Sequence, residues 1–432
     1  MHRTAQNIYG RDTFSKHGPA IRSAILLAMT NAVASADRWK RRTTLVGCFL
    51  HFDFSFMVWI LVGALGIPLA EAAHLSAAQK GLVVAVPILT GSLLRIPVGM
   101  CADRFGGRRV GMLLLGFLFL PLALAWQIAP SLPALIAIGA LLGTAGASFA
   151  VALPLASRWF PPDRQGVALG IAAAGNSGTV VTNLVAPRLA ASIGVASTFL
   201  IAMIALAIVL AAFTALAHEP PQRTRPPRVA LPSLRDPDLR WMCLFYMITF
   251  GGYVGLSSFL PLLLRDGYGV TPIQAGYLTG GLAFIGSASR PIGGIIADRL
   301  GGARLLSVLM VPIALAYGFA ASTPGLPLLI ASSAVLMTCL GLGNGAVFQI
   351  VPQRFQRTIG AVTGLVGALG GVGGFLLPTL LGSVRQYTGS FGPGFCVLAL
   401  VAAVAAVCLR LLVSPRGKWA AAVSAAGGEV MP

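Results

Sequence analysis

Acidic side chains are nearly missing from this sequence. It has 12 Asp and Glu in 432 residues, against 31 Lys and Arg. Charged residues of both signs make up only 10%, where a soluble globular protein carries about 25%. Cysteines number six (Cys48, Cys101, Cys243, Cys339, Cys396 and Cys408), all in or at the edge of apolar stretches. None forms a CxxC pair or a metal-ligand spacing, so a packing role is expected and a metal site is not. The five histidines are scattered, and no nucleophile–base–acid set or P-loop is present, so neither an enzyme nor a cofactor is expected. "GLGNGA" and "GGVGGF" are glycine-rich but lie inside apolar segments, which argues against a phosphate cradle. Short alternating segments, the mark of a membrane barrel, are lacking. A cleavable signal peptide is not expected either, because the one early apolar patch, "AILLAM", is late and short.

What the chain does have is apolar length. Hydrophobic residues make up 56%, and runs near 20 residues recur from Thr44 to Val413. Twelve spans are expected, at roughly 44–68, 80–101, 110–129, 132–157, 166–187, 194–217, 241–263, 273–297, 305–322, 326–351, 359–384 and 390–409. The formal net charge of +19 could suggest nucleic acid, but its distribution does not. With the N-terminus inside, most Lys and Arg fall in the tails and the loops of one side. Only Lys80, Arg188, Arg265 and Arg385 fall on the other. This is the positive-inside pattern, and it predicts a multi-pass inner-membrane protein with both termini cytoplasmic.

The chain also repeats itself. "SLLRIPVGMCADRFGGRRVG" from Ser92 and "ASRPIGGIIADRLGGAR" from Ala288 align without gaps, placing Arg95, Asp103 and Arg104 on Arg290, Asp298 and Arg299. Gly166, Gly170 and Gly175 fall opposite Gly360, Gly364 and Gly370 at nearly the same offset. An all-α membrane protein is therefore expected, with two pseudo-symmetric six-helix bundles of the major facilitator type. The expected parts are a basic N-tail (1–43), a first bundle (44–217), a central cytoplasmic loop (218–240), a second bundle (241–413) and a C-tail (414–432). The loop residues Asp103, Arg104, Arg108, Asp298 and Arg299 are expected to pair across a closed cytoplasmic gate. Met29 is a candidate start, since residues 1–28 show no helical pattern tied to the membrane domain.

Arg95 lies eight residues before Asp103, about 12 Å deeper along a helix, which places it near the bilayer midplane. The same holds for Arg290. An arginine there costs on the order of 2.5–3.5 kcal/mol on insertion scales. The one acid well inside a span is Asp53, for two arginines. The missing partner is expected to be a substrate anion, gripped by planar guanidinium forks. Phe149 and Phe348 follow small-residue stretches at corresponding places in the two halves and are expected to wall a flat guest. Asn176 brings an uncharged amide into span five. The glycines of spans five and eleven, including Gly175, Gly178, Gly370 and Gly373, allow close and sliding helix contact. Asp53 is the candidate proton carrier, or else a structural partner of Arg95. A carrier for another small anion such as a carboxylate, and a non-transporting anion sensor, are the competing readings.

These segments resemble the nitrate/nitrite porter family of the major facilitator superfamily: "FDFSFMVWILVGALG", "LLRIPVG", "SRPIGG", "AAAGNSGTVVTNLVAP", "GLGNGAVFQIVPQRF" and "GALGGVGGFLLP". The resemblance covers roughly 44–413. It implies that Arg95 and Arg290 hold substrate, and that Tyr246 and Phe250 in "YMITFGG" supply a binding hydroxyl and an aromatic wall. The implied substrate is nitrate, nitrite or both, carried by a monomer with proton symport or anion exchange as the coupling.

Overall fold

The computed structural model describes residues 19–160, 174–220, 235–355, 359–414 and 419. Gly166 and Gly170, and the first 18 residues, lie outside them. Among the described residues the regular structure is helical throughout. Helix α1 is Pro19–Ala64, continued by a short helix, Gly66–Ala72. Then come α2 (Ala77–Phe105), α3 (Gly107–Gln127), α4 (Leu132–Ser157), α5 (Gly178–Ile193) and α6 (Val195–Leu216). The second set is α7 (Pro237–Tyr268), α8 (Pro272–Leu300), α9 (Gly302–Ala321), α10 (Leu326–Arg354), α11 (Ile359–Thr388) and α12 (Gly392–Val413). Ten of these are long and apolar enough to cross a membrane. The other two are α5, of which 16 residues form the described helix, and α8, whose 29 residues are diluted by glycine and polar side chains.

One expectation needs correction. Helix α1 starts well before Thr44, at Pro19. No proline or glycine stands between Ala20 and Val46 to stop it, so the helix runs on through the basic stretch. Span four lies at Leu132–Ser157, as expected, and is not α-helical throughout. Gly143–Ser148 tightens into a 3₁₀ segment between two α-helical parts, where glycines at 143 and 146 weaken the α-form.

Helices α3, α6, α9 and α12 form the rim. Leu113, Ile208, Leu315 and Leu411 on them are among the most exposed apolar residues. Helix α7 is the opposite: Met242, Tyr246, Val254 and Leu264 are all at 0% exposure. The two halves meet along α2 with α11 and along α5 with α8, at glycines. A Cβ added at Gly81 would overlap the Pro378 carbonyl, one at Gly371 the Ser92 hydroxyl and one at Gly276 the Asn183 carbonyl. Association of this kind rests on backbone approach, since lipid supplies no hydrophobic drive between helices.

The bundle is sealed at the end away from the termini. There Lys80 of α2 reaches both oxygens of Asp266 at 2.8 Å, and Arg265 reaches Glu71 at 3.0 Å. Gln386 accepts from the Ser76 hydroxyl and the Ala78 N–H at the start of α2, while Arg385 donates to the Asp266 carbonyl. All of these bonds but the last cross between halves. At the termini end the ion pairs stay within one half: Asp103 with Arg158, and Asp238 with Arg354. A Cβ at Gly364 on α11 would meet open space.

Neighbouring glycines in α8 separate contact from composition. A Cβ at Gly293 would overlap the Leu342 carbonyl of α10, whereas one at Gly294 meets nothing within 4 Å. Gly293→Ala is expected to destabilise by about 1–3 kcal/mol through overpacking. Gly294→Ala should be neutral or mildly stabilising, by up to ~1 kcal/mol, through helix propensity. Thermal unfolding of the two purified variants in detergent measures the contrast.

Candidate functional site

Arg95 is 1% exposed, in the middle of α2. Its Nε donates to the Gly146 carbonyl at 3.1 Å, in the 3₁₀ segment of α4. Its Nη1 donates to the Gly367 carbonyl of α11 at 2.7 Å, across the interface between halves. The guanidinium carbon lies 5.3 Å from the Trp59 ring and 5.1 Å from both Phe149 and Phe250. Carbonyls and ring faces both favour a buried cation. One group is left over: Arg95 Nη2 is buried without a hydrogen-bond partner.

Arg290 of α8 joins the same cluster. Its Nη2 donates to the Tyr246 hydroxyl at 3.4 Å, and its guanidinium lies 5.7 Å from the Phe348 ring. Tyr246 stacks on Phe250 at 4.9 Å with 5° between planes, and meets Phe348 edge-on at 4.9 Å. Phe149 faces Phe348 at 6.3 Å and 32°. Six expected residues are thus brought together: Arg95, Arg290, Tyr246, Phe149, Phe250 and Phe348. The fit between the two phenylalanines differs from expectation. A flat guest needs roughly 3.5 Å of contact on each face, about 7 Å in all, so the rings must part slightly to admit one.

The remaining residues sit around this cluster. Asn176 is 2% exposed, in a 3₁₀ turn ahead of α5, and its side-chain oxygen has no partner. Asp53 does not pair with Arg95. It accepts from the Ser177 hydroxyl at 2.6 Å and from the Gly178 N–H, tying α1 to α5. His51 points elsewhere, against the Gly111 carbonyl of α3 at 3.2 Å. Gly175 and Gly178 pack on the Asp53 backbone, Gly370 on the Tyr246 ring and Gly373 on the Met247 carbonyl.

At the termini end the bonds of these loop residues are local ones. Asp103 bonds Arg158 of its own half, and its counterpart pair is Asp238–Arg354, not Asp298. Arg104 stacks on Phe105, while Arg108 bonds the Thr214 carbonyl and its N–H reaches Glu219. Asp298 and Arg299 are exposed at the end of α8. Next to Glu219, burial and the neighbouring charges of Lys40 and Arg108 hold the His218 pKa below its ordinary value.

Sequence reasoning passed over three contributors. Trp59 is buried, donates to the Pro87 carbonyl at 2.7 Å, and fills the crossing of α2 and α4. A Cβ at Gly146 would come within 2.5 Å of its ring, so glycine there makes room for tryptophan. The Gly146 and Gly367 carbonyls are backbone groups and carry no side-chain signal. Trp59 stands in a quoted motif but is one apolar residue among many in a helix.

A cluster of two guanidiniums, one with a spare N–H, a phenol and four aromatic rings, with no carboxylate among the described residues bonded to either cation, suits a small anion. The Major Facilitator Superfamily profile matches residues 47–378 and 242–429. The nitrite extrusion protein of Bacillus subtilis (strain 168) is 37% identical over 350 residues, covering 80% of this chain and 88% of that protein. The probable nitrate/nitrite antiporter NarK1 of Thermus thermophilus is 35% identical over 398 residues, 84% of this chain and 90% of that protein. Among solved structures, a bacterial homologue of the human lysosomal transporter Spinster, inward-facing and occupied, aligns with TM-score 0.64 at 20% identity, covering 90% of this chain and 97% of that one. The human organic anion transporter MFSD10 aligns with TM-score 0.65 at 16% identity, covering 85% and 99%. These two likenesses concern the fold alone.

Removing the phenol or the amide tests which polar groups touch the guest. Tyr246→Phe and Asn176→Ala should each weaken nitrate binding about tenfold or more, the cost of a hydrogen bond to a charged group. Equilibrium titration of purified protein reads this directly, and unchanged affinity in both assigns the two residues to packing.

Proposed function

The chain belongs to the nitrate/nitrite porter family of the Major Facilitator Superfamily, and we propose on that premise that it takes up nitrate by alternating access, with Arg95 and Arg290 gripping the anion from opposite halves. It is a multi-pass membrane protein and a transporter, not an enzyme. The observation that carries the site is the buried, unpartnered Nη2 of Arg95 in a pocket shared with Arg290. A buried N–H without a partner costs about 1–3 kcal/mol, more on a charged group, and an anion oxygen removes that cost. The narrow spacing of the rings favours a flat trigonal anion, for which they need part only slightly, over a bulkier branched carboxylate.

The charge bias of the loops supports an inner-membrane orientation with both termini in the cytoplasm. In that orientation the end sealed by Lys80–Asp266 and Glu71–Arg265 faces outward. Asp103–Arg158 and Asp238–Arg354 then brace the inner ends of each half. The exposed Asp298, Arg299 and Arg104 are free to engage when that end closes.

Proton symport is the coupling that Asp53 supports. A carboxylate inside a membrane span, bonded only to a hydroxyl and an amide and not to either arginine, is a proton-relay candidate. Arginines do not titrate, so a proton cycle needs such a group. Exchange of nitrate for nitrite needs none, and the names of the Bacillus and Thermus relatives favour that second reading.

Arg95→Lys and Arg290→Lys are each expected to lower nitrate flux at least tenfold with near-normal expression, since an ammonium cannot reproduce the planar fork. Normal uptake by both would overturn the assignment. Separately, Asp53→Asn in proteoliposomes should abolish accumulation driven by a pH gradient while nitrate/nitrite exchange persists. Retained gradient-driven accumulation removes Asp53 as the proton carrier and makes exchange the better reading.

A further inference from the structure

Beyond the arginine cluster, towards the sealed end, three helices carry a line of small polar side chains that no step above uses. On α5, Thr179 and Asn183 follow Asn176 by three and seven residues. On α7, Tyr253 and Ser257 follow Tyr246 by seven and eleven. On α8, Thr279 precedes Arg290 by eleven, and that helix runs the other way. Spacings of seven and eleven keep a residue on the same helix face while moving it about 10 and 16 Å along the axis. Each line therefore starts at a residue assigned to the anion and climbs towards the Lys80–Asp266 end.

The three lines meet. The Tyr253 hydroxyl donates to the Ala283 carbonyl of α8 at 3.2 Å, and the hydroxyls of Ser287, Thr179 and Ser257 lie beside it. Gly276 and Gly280 of α8 let α5 approach so closely that a Cβ at either would strike Asn183 or Leu184. Thr179, Asn183, Ser257 and Thr279 are all at 0% exposure. Yet Asn183 Oδ1 and Thr279 Oγ1 have no hydrogen-bond partner, and Thr179 Oγ1 and Ser257 Oγ have none besides the Tyr253 phenol. Hydroxyls on a helix can return to the carbonyl four residues back, as Thr249, Thr338 and Thr379 do. The hydroxyls along this seam lack even that bond.

The unpaired Asn183 Oδ1 and Thr279 Oγ1, each costing about 1–3 kcal/mol, are poorly explained by packing. Alanine or valine would fit a sealed seam better. They make sense if the seam parts. Helix α5 belongs to one half and α7 and α8 to the other, so opening of the Lys80–Asp266 end separates these faces. We propose that Thr179, Asn183, Ser257 and Thr279 line the outer access route, an uncharged hydrogen-bonding track that passes nitrate between the outside medium and the arginine pair. The absence of charge suits the task. Hydroxyls and an amide can solvate the anion in transit without holding it, whereas another arginine would trap it. This proposal rests on the nitrate-transport reading, and its test separates the two.

The test uses full-length protein with the combined Thr179→Val, Ser257→Ala and Thr279→Val changes. Equilibrium nitrate affinity of the solubilised variant should stay within about twofold, and its thermal stability should hold or rise. Exchange of labelled nitrate across proteoliposomes should fall about tenfold or more, the size expected when a hydrogen bond to a charged group is lost. Thr279→Ser, which keeps the hydroxyl, should exchange at the parent rate. Full exchange by the triple variant, or loss of stability and exchange together in Thr279→Ser, overturns the track. A second arm is independent of the substrate. In a chain with its six cysteines replaced, Thr279→Cys should react with a charged, membrane-impermeant thiol reagent from outside once Asp266→Asn has loosened the seal. Absence of labelling there overturns the track as well. A parent protein that binds no nitrate, yet labels at position 279, overturns the substrate assignment and leaves the route standing.

Discussion

A guanidinium cannot shed its charge inside a membrane, and the structure is arranged around that fact. Arg95 sits where a cation is least welcome, and everything within reach answers to it: a 3₁₀ distortion that offers the Gly146 carbonyl, a glycine in the opposite half that offers another, and three aromatic faces. These contacts stabilise the cation without neutralising it. No carboxylate is bonded to it, and one N–H is left unpaired. Full neutralisation by an aspartate would make the site stable and inert. Partial solvation leaves an N–H open for the mobile anion proposed as its partner.

The same logic explains the distribution of glycine. Ring stacks and guanidiniums are bulky, and they occupy the middle of a bundle whose helices must also touch at their ends. Room is made by removing side chains where helices cross. Gly146 admits Trp59, Gly370 admits Tyr246, and Gly371 admits Ser92. Glycines in this protein therefore serve two separate ends: some accommodate the site's rings, and others, such as Gly81 and Gly276, let one half lie flat on the other.

Much of this was legible in the sequence. Long apolar runs, one-sided positive charge and an internal repeat mark the helices, and the repeat-related Arg95 and Arg290 mark the site because an unpaired charge in an apolar run has no structural reason to exist. Phe149 and Phe348 were legible through their matching positions. The partners of those residues were not. Gly146 and Gly367 act through carbonyls, which every residue has. Trp59 is one ring in an apolar helix. The pairing of Asp103 with Arg158 rather than across the gate depends on which end of the bundle is closed, and that is a property of the conformation, not of the local sequence. The 3₁₀ turn in α4 is a compromise between weak helix formers and a demand from another helix.

The ion pairs at the sealed end have a further consequence. Lys80 and Asp266 are about one-fifth exposed, and Arg265 and Glu71 about half, so each pair is wet and screened by salt. Exposed pairs of this kind contribute only about 0–1 kcal/mol each. A lock made of several such bonds can be undone by thermal motion. Its grip weakens as ionic strength outside rises, because the Debye length shortens to about 3 Å at 1 M salt. The saltiness of the surroundings is thereby written into the balance between the two faces of the carrier.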